Sequence, residues 1–196
     1  MSFWTNSSVI PKRNFRFLIQ FAAYGKIGAA GGDGQDSNDI LWFAKNAKLP
    51  SVSFSDTEHN FLDNKYYYPG RATWEEVTMT LVDPASPDAT KRTMQLLEDS
   101  GYVVKKASNE AARTISKNKA TNSGVGSIKI SILDDEGNAL EVWTLNNAFV
   151  KSVSFSDLDY ANEDLRTIDM SIRYDWATCE ILKAGRTEVT PDTFFQ

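Results

Sequence analysis

The six-residue string Ser51-Val52-Ser53-Phe54-Ser55-Asp56 occurs twice, returning as Ser152-Val153-Ser154-Phe155-Ser156-Asp157, 101 positions later. Hydrophobe alternates with hydroxyl in both copies, the period-two pattern of a strand with one buried face. Each copy leads through a non-periodic stretch into a second alternating run. After the first copy this is Glu76-Val77-Thr78-Met79-Thr80-Leu81, and after the second Thr167-Ile168-Asp169-Met170-Ser171-Ile172. The return strands are offset by 91 positions, so the first intervening segment is ten residues longer. The chain therefore reads as two related hairpins, by duplication or by shared structural duty.

The hairpins sort their residues onto two faces. Val52, Phe54, Val77, Met79, Leu81, Val153, Phe155, Ile168, Met170 and Ile172 form an apolar face. The opposite face carries Ser51, Ser53, Ser55, Glu76, Thr78, Thr80, Ser152, Ser154, Ser156, Thr167, Asp169 and Ser171. Small hydroxyls with a few carboxylates suit water, as on the solvated side of an antiparallel sandwich. Open strand edges are usually blunted by lysine, proline or bulges, and these strands carry little blunting. Neighbouring subunits that pair with those edges, and close a ring into a barrel, are the physical alternative.

The rest of the chain is also mainly strand. Phe15, Phe17, Ile19 and Phe21 alternate within residues 14–23, residues 41–48 form a weaker strand stopped by Pro50, and Ile128, Ile130 and Ile132 alternate again. Asp134-Asp135-Glu136-Gly137-Asn138 supplies turn chemistry for a hairpin into residues 140–145. The last strand, with Ile168, Met170, Ile172, Tyr174 and Trp176 on one face, is expected to be the longest. One helix is expected over residues 86–100, with Ser86 as N-cap, Pro87 at the first position and Gly101 closing it in a left-handed conformation. Its stripe of Ala89, Thr93, Leu96 and Leu97, with Met94 beside it, covers one opening of the sheet core. Two segments lack periodicity: a glycine-rich insert loop at 25–39, and a polar basic loop at 103–126 with a net charge of +4. Strands of one texture continue on both sides, so 1–196 is read as a single domain.

Several classes are excluded or disfavoured. A net charge of −5 argues against a general nucleic-acid or anionic-membrane binder. No apolar run approaches the ~20 residues of a membrane span, and the first residues show no secretory signal, so no membrane anchor is expected. A single cysteine, Cys179, allows no internal disulfide, which suits folding in a reducing cytosol. His59 is the only histidine, which excludes a site needing two. Gly25 to Gly34 contains no phosphate-loop string. Asp33, Asp36, Asn38 and Asp39 do not match a calcium loop. Ser55, Asp56 and His59 are crowded into one segment without a nucleophile elbow. No catalytic residue, metal site or cofactor is expected, and the chain is not read as an enzyme.

Residues 12–180 resemble the tail tube proteins of contractile-tailed, T-even-like bacteriophages. The resemblance rests on the strand at 14–21, on Ala47-Lys48-Leu49-Pro50-Ser51-Val52 as the entry to the first hairpin, on Trp74-Glu75-Glu76-Val77-Thr78-Met79 with Asp83 and the helix behind it, and on the final alternating run 165–176. The glycine-rich insert, the basic segment and the tail beyond Cys179 depart from that pattern. The resemblance implies a mainly β, antiparallel sandwich or barrel with one flanking α-helix, whose two long hairpins join neighbours in a ring-shaped inner β-barrel. It implies hexameric rings stacked into a tube that conducts DNA. Twenty-four strands at ~4.8 Å spacing give a backbone diameter of ~37 Å before tilt, enough for a duplex.

On that resemblance Ser53, Ser55, Glu76, Thr78, Thr80, Ser154, Ser156, Thr167, Asp169, Ser171 and Asp175 line the lumen and offer phosphates no cationic hold. Arg173, on the same face, is expected near a rim or paired with Asp175 or a neighbour. Phe61, Tyr66, Tyr67 and Tyr68, in the loop expected at 57–73, reach an adjacent subunit. Lys105, Lys106, Arg113, Lys117 and Lys119 face a sheath. The implied partners are further copies, sheath, baseplate and tail-terminator proteins, a tape measure protein and then DNA in the lumen. The implied location is the virion tail, after synthesis in the host cytoplasm. Two alternatives stand beside this: a baseplate tube initiator or the inner tube of a tailocin or secretion device, and an unrelated ligand-binding β-sandwich.

Overall fold

The alternating runs become strands whose apolar faces meet in one core. The computed structural model describes residues 11–21, 44–86, 88–103, 114–161, 163–182 and 192–195. The insert loop 25–39, Pro87, and Lys105, Lys106 and Arg113 lie outside the described residues. The strands are β1 (Phe17–Phe21), β2 (Ala44–Ala47), β3 (Val52–Phe61), β4 (Asn64–Trp74), β5 (Val77–Val82), β6 (Gly126–Leu133), β7 (Ala139–Phe155), β8 (Thr167–Arg173), β9 (Trp176–Ile181) and β10 (Asp192–Phe194). Helix α1 spans Ala89–Asp99, and a helical turn at Lys117–Lys119 widens into a π turn at Ala120–Gly124 within the segment expected to be a loop.

All strand pairings are antiparallel, and the main sheet runs β1-β6-β7-β8-β5-β2, with β9 and β10 on the β7 flank. Cross-strand rows show why the apolar face is continuous. Phe155, Ile168, Leu81 and Ala44 stand opposite one another in turn, and Val153, Met170, Met79 and Ala47 form the next row. Val77, Met79, Leu81, Ile168, Met170 and Ile172 are fully buried with Ile19, Ile128, Ile130 and Leu145, while Val153 and Phe155 pack at the margin. A mainly β antiparallel fold with a flanking helix is thus what the alternation dictates.

Helix α1 covers the core with Ala89, Thr93 and Leu96, while Met94 is exposed. Its N-cap is Asp88 rather than Ser86: the Asp88 carboxylate accepts from the Lys91 N–H at 2.9 Å, the three-residue reach of a cap. Asp83 adds a second tie, accepting from Thr90 N–H at 3.1 Å and Thr90 Oγ1 at 2.7 Å. At the other end the Gly101 N–H reaches the Glu98 carbonyl (2.8 Å) and the Tyr102 N–H the Leu97 carbonyl (3.2 Å). That double closure needs the left-handed φ of +101° at Gly101.

Two expectations on the hairpins are corrected. The partner of the first hexapeptide is not the 76–81 strand but β4, with Val52 opposite Trp74 and Phe54 opposite Ala72. Residues 57–73 are accordingly not a loop: β3 and β4 pair all the way to Phe61 and Asn64. β5 instead pairs with β2 and β8. The same register carries through both pairs, because the Lys48 N–H meets the Thr78 carbonyl and the Glu75 N–H meets the Ser51 carbonyl. Residues 44–82 thus form one long ribbon bent near Pro50. The second hairpin, β7 with β8, pairs as the repeat suggests.

Among the described residues the longest strand is β7, at 17 residues, not the last run. The last run bends at Tyr174–Asp175, where the Asp175 N–H bonds the Asn146 carbonyl, and resumes as β9 along the same neighbour. The 134–138 turn forms as expected: Asp134 Oδ1 accepts from the N–H groups of Glu136 and Asn138, and Gly137 holds φ +88°.

Candidate functional site: a hydroxyl-rich sheet face and open strand edges

The side of β2, β5, β8 and β7 away from the core carries the small polar residues in register. Asn46, Thr80, Asp169 and Ser154 form one cross-strand row, and Thr78, Ser171 and Ser152 the next. Thr78, Ser152, Ser154 and Asp169 are exposed, and Thr80, Thr167 and Ser171 half-buried. Thr80 Oγ1 donates to Asp169 Oδ1 at 2.6 Å, so a hydroxyl of this row orients the carboxylate beside it.

Glu76 lies at the bend before β5 and gathers three partners. Ser171 Oγ donates to it at 3.0 Å, the Lys151 ammonium bonds it, and the Arg173 guanidinium stands 3.6 Å away. The Lys151 bond, then the Ser171 bond, hold the Glu76 carboxyl below the usual glutamate range. Arg173 is therefore paired with Glu76, not with Asp175. Asp175 sits past the end of β8, where Lys117 (2.7 Å) and Asn147 (2.8 Å) hold its carboxyl below the ordinary value. Lys117 is thereby engaged with the sheet, and Lys119 is exposed beside Gly101.

Two hydroxyls of this set complete the backbone instead. Ser55 Oγ accepts the Arg71 N–H at 2.9 Å where the β3–β4 register slips, and a Cβ on Gly70 would stand 2.3 Å from that oxygen, so only glycine fits there. Ser156 Oγ accepts the Thr167 N–H at 3.1 Å and closes the β7–β8 loop. Ser53 is exposed and reaches the Thr73 carbonyl and Glu75, both at 3.3 Å. The alternation slips at Glu75–Glu76, since Trp74 and Val77 both pack on the core. Burial pushes the phenol of Tyr174, which lies 6.0 Å from the Trp74 ring, up to about 12.

The edges are open. Among the described residues β3 and β4 pair only with each other, and β7 from Phe149 to Phe155 pairs only on its β8 side, because its pairing with β6 ends at Ala148. The ribbon carries exposed Phe54, Phe61, Leu62, Tyr66, Tyr67 and Tyr68. Tyr67 stands opposite Glu58, while Tyr66 and Tyr68 stand opposite His59 and Thr57 on the other side. An isolated two-stranded ribbon has no core of its own, so both its faces are available to a partner.

Among the described residues no enzyme-like constellation accompanies these surfaces. His59 and Asp56 fall on opposite sides of β3, and Ser55 is occupied by Arg71. Cys179 is buried, and burial followed by the Glu141 charge raises its thiol pKa. Among the described residues no cluster of three or more His, Cys, Asp or Glu stands ready for a metal ion, and no helix is long and apolar enough to cross a membrane. Sequence reasoning missed Lys151 as a partner of Glu76 and the acidic character of 157–165. Only the run of acids between Asp157 and Asp164 left a local signal.

No protein-family model matches the chain, and no curated protein matches it in sequence. Solved structures do. A chain of the sheath–tube complex of an extracellular contractile injection system, PVC, in its extended state superposes with a TM-score of 0.58 at 14% identity, over 91% of this chain and 99% of that one. A chain of the six-fold symmetrised baseplate of the anti-feeding prophage gives 0.58 at 15%, over 87% and 96%. A chain of the tube-terminating cap of the anti-feeding prophage gives 0.57 at 16%, over 89% and 93%. The fold is the one found in components of contractile injection systems.

Proposed function

We propose that this chain is the building block of the inner tube of a contractile injection device, in which copies pair edge to edge into rings and rings stack into a hollow conduit. The observation that carries the reading is the set of open edges, on β7 and on the aromatic β3–β4 ribbon, borne by a fold found in such devices. An open edge is a template for another chain, and two different edges used head to tail close a ring when the rotation permits. Six copies giving four strands each form the ~37 Å barrel, with Thr78, Thr80, Ser154, Asp169 and Ser171 toward the bore. Tyr66, Tyr67, Tyr68 and Phe61 anchor the ribbon on a neighbour, and Lys105, Lys106, Arg113 and Lys119 face outward to a sheath, while Lys117 is taken up by Asp175.

On this reading 1–196 acts as one structural, non-enzymatic domain of a phage tail, with sheath, baseplate, terminator and tape measure proteins as partners and DNA as cargo. The bore offers a phosphate chain few cations: Lys151 and Arg173 are engaged by Glu76, hydroxyls dominate the remainder, and exposed Lys48, opposite Thr78, is a cation that stays on this face. A second reading, a tube for proteins in an injection or secretion system, is favoured by the similar folds in the PVC and anti-feeding prophage particles. Electron microscopy of the purified protein across a concentration series tests the common part. Rings and filaments above a threshold support it, and a monomer at all concentrations refutes it. Nucleic acid in the bore of native particles separates the two cargoes.

A further inference from the structure

The gap between the outer edges of β1 and β2 is a groove of about 740 Å³ lined by Arg13, Arg16 and Lys45, with Phe15, Leu49 and Ile132 as its apolar wall. Among the described residues no acidic side chain lines it. Lys12, at its rim, is held by Glu141. A cavity of this size, with cations above an apolar wall, takes a ligand that is itself both acidic and apolar.

The chain carries one segment of that description. Residues 157–165 join β7 to β8 and contain four acids and no lysine or arginine. Leu158, Tyr160 and Leu165 are 86%, 112% and 71% exposed, so the segment rests its hydrophobes on nothing among the described residues of its own chain. Three large exposed apolar side chains amid Asp157, Asp159 and Glu163 mark a surface that is covered in an assembly. Charge complementarity points to the groove as their cover, and the exposure points to a contact in trans.

We infer that the 157–165 loop of one copy seats in the β1–β2 groove of a second copy. The contact is heterologous, since loop and groove are different surfaces, and it therefore propagates. It rests on the tube reading and assigns the loop to the joint between successive rings, whereas the strand edges close each ring.

Charge reversal tests it with the full chain. The groove variant is Arg13→Glu, Arg16→Glu and Lys45→Glu, the loop variant is Asp157→Lys, Asp159→Lys and Glu163→Lys, and a third chain carries all six. Circular dichroism checks folding, sedimentation counts rings, and electron microscopy counts stacks. Each triple variant is expected to form rings but at least tenfold fewer stacks, the six-fold variant to regain stacking, and wild-type stacks to weaken with salt. As a variant that keeps every charge, Leu158→Ser, Tyr160→Ser and Leu165→Ser is expected to give rings without stacks. Undiminished stacking by the loop variant, or a folded six-fold variant that stays unstacked, overturns the inference while leaving the ring reading intact. Absence of wild-type rings refutes both.

Discussion

Replacing Tyr66, Tyr67 and Tyr68 together by threonine separates the role of the ribbon from the stability of the fold. Threonine keeps the strand propensity that alanine loses. The three rings are 48%, 60% and 58% exposed, so about half of each is available to a partner. A fully buried aromatic covers ~150–250 Å², so about 100 Å² per ring remains to be buried on assembly. Three rings at ~25 cal/mol/Å² give a ceiling of about 7 kcal/mol per contact. Ordering costs and imperfect burial reduce that, yet a surviving third of about 2 kcal/mol raises the assembly threshold ~30-fold. The monomer loses almost nothing, since the rings touch no core, and its melting temperature is expected to move by less than about 4 °C. Sedimentation velocity across a concentration series, with thermal melts of the same samples, reads both quantities. A threshold unchanged within twofold, or a melting temperature lowered by 10 °C, refutes the assignment of these rings to a contact between copies.

Asp83→Ala removes a carboxylate only 6% exposed that caps Thr90 and meets Arg166 at 3.3 Å. It is expected to cost about 2 kcal/mol in urea unfolding, nearly all from the helix start, and a loss below ~0.5 kcal/mol contradicts that role. Gly101→Ala forces a side chain onto φ +101° with its Cβ 3.2 Å from the Thr114 carbonyl oxygen, and a loss of about 1–2 kcal/mol is expected; an unchanged melt shows that the turn relaxes. Glu76 titrates below the ordinary glutamate range, so its ion cluster is intact above that range and is lost as pH falls through the lowered value. Carboxyl-carbon NMR of Lys151→Met is expected to show Glu76 moving back up, and an identical titration would rule out the Lys151 bond as the main cause.

Local alternation carried most of this fold because each buried strand must present one apolar face. Val77, Met79, Leu81, Ile168, Met170 and Ile172 announced themselves that way and all are buried. Alternation does not name a partner, however. The 52–56 strand pairs with β4, whose Tyr66-Tyr67-Tyr68-Pro69-Gly70 shows no period because neither face of the ribbon is buried in this chain. The N-cap was displaced by two residues because Ser86 and Asp88 both suit a cap, and only the Asp88–Lys91 bond decides between them. Of the candidate site, the hydroxyl row was legible as the complement of the apolar row. The pairing of Glu76 with Lys151 and of Asp83 with Arg166 was not, since each joins residues more than seventy positions apart.

A cryo-electron microscopy cross-section of the assembled protein tests the central claim most directly. The account predicts an annulus whose inner wall is a continuous β-barrel, with Thr78, Thr80, Ser154 and Asp169 toward the channel and α1 outside it. A ring with those residues turned outward, or subunits that touch without strand pairing, contradicts it.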